Sequence, residues 1–137
     1  MTYRNSFIII GLFITALIIR IGVYKYYESP PSTTDVSAEA QVSAIAIMDS
    51  YESDESAANH HYLNKYVDIT GVVSKMVTNE KCSVYLITNS LLGYVIAELS
   101  NCDDIEGLSK GSSITVRGLC SGYLSDVILV RSIIVTD

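Results

Sequence analysis

Three cysteines, two adjacent histidines and ten tyrosines are the side chains here best equipped to ligate a metal, form a covalent bond or stack on a ligand. Cys82, Cys102 and Cys120 stand 20 and 18 residues apart and match no C-x-x-C zinc or redox pair. In an oxidising compartment Cys82 and Cys102 could close one disulfide and leave Cys120 buried in its strand; the alternative is three separate thiols. His60 and His61 are sequence neighbours, so on a helix their rings diverge by about 100° and cannot chelate one ion from a single face. No serine or cysteine motif supplies a nucleophile with its base. The expectation is no catalytic residue, no metal site and no cofactor.

Tyrosine is the unusual count, ten against two phenylalanines and no tryptophan. Tyr24, Tyr26 and Tyr27 follow an apolar run, where a membrane-surface belt would sit, while Tyr85 and Tyr94 fall on strand-like segments where rings could form a stacking platform. Such a platform binds nucleic acid only inside a cationic groove. Residues 1–25 carry Arg4, Arg20 and Lys25 without an acid, but the other 112 residues hold 6 basic and 15 acidic side chains. That acidic balance would repel phosphate, so nucleic acid is not the expected partner.

The elements that must position these groups start with Phe7 to Ile19, thirteen residues without a charge, extended to eighteen by continuing through Arg20 to Tyr24. Eighteen helical residues span roughly 27 Å, close to the hydrocarbon thickness, with Arg20 near one boundary able to snorkel. The reading is an uncleaved signal anchor over residues 1–27, then a Pro/Ser/Thr spacer over 28–34. A helical lead-in follows over 35–64: one helix over roughly Val36 to Ser50, capped by Thr34 or Asp35, and a second opened by Glu52, Asp54 and Glu55. From Lys65 the apolar period changes to alternation. Strands are expected at Tyr66 to Thr78, Ser83 to Thr88, Gly93 to Leu99, Ser113 to Ser121 and Asp126 to Val135, with a polar interruption at Asp103 to Lys110. Five strands, the first long and bent at Gly71, outline a mainly β OB-fold Greek-key barrel over 65–137.

Several runs carry a resemblance: Ser56-Ala57-Ala58-Asn59 through Tyr62-Leu63-Asn64-Lys65, the segment Val67 to Val73, Lys110-Gly111, Ile114 to Gly118, and Cys120-Ser121-Gly122-Tyr123-Leu124-Ser125-Asp126-Val127. Over about residues 37–135 this pattern resembles the tRNA_anti-like family of bacterial OB-fold proteins. The resemblance implies an N-terminal membrane anchor or lipid signal, a helical lead-in and an extracytoplasmic barrel, and it lends no catalytic residue. It also implies cysteines in the third and last strands, where this chain has Ala97 and Ser132, leaving Cys120 alone at such a position. Tyr62 and Tyr123 match family positions and are expected to lock helix to barrel.

The expected function is therefore a membrane-anchored OB-fold binding module of the cell envelope. Its N-terminal helix meets membrane lipid, and the face around Tyr85, Tyr94 and Arg117 takes a protein, peptide or small envelope ligand. The alternatives are a nucleic-acid-binding OB domain and a structural subunit of an envelope complex.

Overall fold

The computed structural model describes residues 14–23, 33 and 35–135. The chain divides into two units, 1–31 and 32–137. In the first, residues 14–23 are helical and exposed. Among the described residues no helix is long and apolar enough to cross a membrane. Most of the expected anchor, 1–13 and 24–27, lies outside the described residues, as does the spacer apart from Thr33.

The second unit is mainly β. Six strands are formed: β1 (Ala40–Ser43), β2 (Tyr66–Thr78), β3 (Cys82–Leu86), β4 (Val95–Leu99), β5 (Ser113–Leu124) and β6 (Asp126–Val135). β2 pairs with both β3 and β5, and the order β2-β3-β4-β6-β5 returns to β2, closing a five-stranded barrel of OB type. β2 is long enough to do this because its first half pairs with β5 and its second half with β3. The irregularity in β2 lies between Val73 and Lys75, past the bend expected at Gly71; Gly71 serves close packing instead, since a Cβ there would come within 2.9 Å of the Ala44 Cβ and 3.1 Å of the Leu86 Cβ, so only glycine lets the helix sit this close. Alternation fills the barrel with Val67, Ile69, Val73, Val84, Leu86, Val95, Ala97, Val116, Cys120, Val127 and Leu129, all fully buried.

Two helices, α1 (Ala44–Ser53) and α2 (Glu55–Tyr62), follow β1. Ala44, Ile47, Met48 and Tyr51 on α1 are buried in the core cluster they share with the strands. The start of this region corrects the sequence expectation of a helix from Val36. Ala40–Ser43 is instead a strand paired parallel to Val67–Thr70, and the helix cap is Ser43, whose Oγ accepts from Ala46 N at 3.1 Å. The four-residue step from Ala40 to Ala44 mimics a helical stripe, but the open edge of β2 supplies hydrogen bonds that a free helix start would lack. A second correction concerns the β5–β6 connection. Both strands run up to Ser125, which alone turns the chain at φ 67°. Between β4 and β5, Cys102–Ile105 forms one 3-10 turn.

Candidate functional site

Lys75 on β2 is the cross-strand partner of Tyr85 on β3, and Tyr94 enters β4 beside them. The two rings meet edge to face, with centroids 5.8 Å apart and planes at 80°. Lys75 Nζ lies 4.2 Å from the Tyr85 centroid and 5.5 Å from that of Tyr94. Each contact is worth about 0.5–1.5 kcal/mol, enough to hold the three side chains as one exposed to half-buried surface. Tyr94 is also pinned by its backbone: its N–H donates to Asp126 Oδ1 at 2.7 Å, and its carbonyl accepts from Val127 N at 3.0 Å.

Arg117 does not join this face, which corrects the expected grouping. It stands opposite Asp68 on the first half of β2, seven residues from Lys75 along a strand that rises about 3.3 Å per residue. Its Nε and Nη2 bond Asp68 Oδ1 and Oδ2 at 2.7 and 2.8 Å, and Nη1 donates to the Val36 carbonyl at 3.2 Å. The bond to Asp68 raises the guanidinium pKa further, so the group is a fixed cation engaged in structure. Lys81 is likewise held by Glu98 at 2.9 Å. Lys75, one of the six basic residues of 26–137, is the cation that the structure brings to this face.

Cys82 and Cys102 are joined by a disulfide that ties the 3-10 turn to β3. Cys120 is a free, buried thiol, 3.4 Å from the Tyr51 hydroxyl. Burial raises both the thiol and the phenol above their ordinary pKa values. The Tyr51 ring stacks on Tyr123 at 5.2 Å and meets Tyr62 at 6.2 Å, so Tyr62 and Tyr123 bracket the helix residue. Tyr51 and Cys120 are buried within this cluster, and Tyr62 and Tyr123 are half-buried at its edge. His60 and His61 are exposed on α2 with their rings edge to face, and among the described residues no group of three His, Cys, Asp or Glu could hold a metal. Along the first half of β2, a hollow of about 250 Å³ is lined by Gln41, Asp68, Thr70, Thr115 and Val135.

The barrel, the lead-in and the sequence pattern coincide with one family model, tRNA_anti-like, which matches residues 1–134. The chain belongs to the tRNA_anti-like family. No curated protein matches this tRNA_anti-like chain. Among solved structures it is similar to a Klebsiella pneumoniae protein described as a candidate nucleic acid-binding lipoprotein: 19% identity, TM-score 0.59, covering 79% of this chain and all of that one. At that identity the likeness shows the OB-type fold. A weaker likeness, 16% identity and TM-score 0.38 over 53% of this chain and 59% of the other, is to the Stn1–Ten1 complex of S. pombe.

Proposed function

We propose that this chain is a membrane-anchored OB-fold module of the cell envelope that holds a protein or peptide segment on the Lys75–Tyr85–Tyr94 face and catalyses no reaction. The carrying observation is the face itself: two tyrosine rings at 80° under a single lysine. An aromatic or carboxylate-bearing side chain finds both a ring to pack on and a cation to meet. A phosphate backbone finds Lys75 but no cationic track, because Arg117 is held by Asp68 and the exposed Lys81 has the Glu98 carboxylate beside it. Residence outside the cytoplasm is supported by the Cys82–Cys102 disulfide, since such bonds persist in oxidising compartments. Anchoring rests on the apolar run at 7–24.

A photoreactive side chain at Tyr85 in the full chain, activated in intact cells, tests this. One protein partner captured in stoichiometric amount, and lost with Lys75→Gln, is expected. A partner that assembles with the chain but never captures at position 85 would make this a structural subunit instead.

The nucleic-acid reading keeps two supports, an accessible aromatic pair of the kind on which OB surfaces stack bases and the name of the Klebsiella neighbour. One lysine predicts a slope of log K against log salt near −0.7 for a single strand. A measured slope of about −3 or steeper, with affinity lost in Tyr85→Ala, would replace the peptide reading.

A further inference from the structure

The loop between β3 and β4 carries the two most exposed large apolar side chains among the described residues, Leu91 at 99% and Leu92 at 87%. Leu124, 84% exposed at the β5–β6 turn, is close by, for a Cβ on Gly93 would come within 2.4 Å of the Ser125 carbonyl. The loop is held in shape. Thr88 Oγ1 donates to the Gly93 carbonyl at 2.5 Å, Ser90 N donates to Thr88 Oγ1 at 3.2 Å, and Gly93 N donates to Ser90 Oγ at 3.2 Å. These bonds satisfy Ser90 N, Gly93 N and the Gly93 carbonyl within the neck, and the two leucines stand outward.

We propose that this tip inserts into the interfacial region of the lipid bilayer. The proposal rests on the membrane-anchored reading above. Two observations favour lipid over other occupants. No residue from Ser83 to Ala97 is charged, in a chain whose residues 26–137 hold 15 acids against 6 bases, so the loop itself brings no carboxylate to anionic headgroups; Asp126, at the adjoining turn, is held at the base of the loop by Tyr94 N–H. The barrel unit is also tied down from Thr33, whose Oγ1 donates to the Arg131 carbonyl at 2.6 Å, and eight residues separate Thr33 from Tyr24 at the end of the apolar run. Eight extended residues reach at most about 30 Å, which keeps the unit at high effective concentration beside the bilayer. Under that tether a weak apolar contact is sufficient to be occupied.

The test uses the full chain reconstituted in vesicles of mixed zwitterionic and anionic phospholipid. An environment-sensitive non-natural side chain replaces Leu92 or, as control, Glu80 in the turn at the far end of β3. Expected are a blue-shifted emission at position 92 that lipid-borne quenchers suppress, an aqueous signal at position 80, and an about tenfold weaker partition of the tip in Leu91→Ser. A chain that floats with vesicles while position 92 stays as wet as position 80 overturns the tip and spares the anchor. A chain that does not float overturns the anchored reading and the tip with it. Emission that shifts with protein density and ignores the lipid quenchers assigns the tip to a second copy, and a shift confined to native membranes assigns it to a protein; either overturns the proposal.

Discussion

Replacing Arg117 by alanine leaves the Asp68 carboxylate facing the N-terminal segment with its cation gone. The Asp68 side chain is 7% exposed and that of Arg117 22%, so water replaces the lost partner poorly at the carboxylate and better at the guanidinium. Removing one member of a buried pair costs about 3–5 kcal/mol, and the partly wet arginine end puts this pair near 3 kcal/mol. The bond to the Val36 carbonyl goes at the same time and loosens the chain where it reaches β1. For a unit of this size, about 3 kcal/mol lowers Tm by roughly 12–15 °C. Urea and thermal melts of the full chain in detergent read the loss. Replacing the pair together, Asp68→Leu with Arg117→Met, is expected to recover more than half of it, because no charge is then left unpaired. A loss in Arg117→Ala of about 0.5 kcal/mol or less, the worth of an exposed pair, would refute the sequestered-pair argument. Ligand capture at Tyr85 is expected to be unchanged wherever the variant is folded, since the Arg117 fork is spent on Asp68.

Cys82→Ser with Cys102→Ser opens a loop of about 20 residues and is expected to cost about 3 kcal/mol, seen as a lower urea midpoint that matches reduced wild type. Because burial raises the Cys120 thiol and the Tyr51 phenol, the fold holds both protons more tightly than the unfolded chain does. Stability from these groups is full below the ordinary thiol range, about pH 8.5, and falls as pH rises; Cys120→Ala with Tyr51→Phe is expected to flatten that alkaline limb in urea melts. Gly71→Ala drives a Cβ to 2.9 Å from the Ala44 Cβ and is expected to cost about 1–3 kcal/mol by thermal melt, relieved in part by Ala44→Gly.

What the sequence made legible was decided by periodicity. β2 and β6 are long alternating runs rich in Val and Ile, and no helix of that period would bury one face. β1 was illegible because four residues carry too little pattern and its partner Val67–Thr70 lies 27 residues away. Arg117 could be placed on a strand, but not beside Asp68, which is 49 residues distant. Lys75 was in reach: with Asn79, Glu80 and Lys81 as the turn, Thr78 faces Cys82 and Lys75 faces Tyr85, so the hairpin register alone puts the amine on the ring. Leu91 and Leu92 read as core residues by type. Only the neck of hydrogen bonds from Thr88 to Gly93 turns them outward.

The proposed ligand face and the exposed tip meet at Tyr94. Its ring is one wall of the aromatic pair, and its N-terminal neighbour Gly93 closes the neck of the leucine loop. A flexible junction there would pass every movement of the tip into the spacing of the rings. The backbone clamp opposes that: Tyr94 N–H on Asp126 Oδ1 and Val127 N–H on the Tyr94 carbonyl fix the residue to the first two positions of β6. Asp126 is thus a carboxylate that fixes geometry at the base of the tip, beside a segment that carries no charge of its own. The arrangement lets one end of the barrel meet an apolar environment while the rings under Lys75 keep the 5.8 Å separation that a ligand side chain would meet.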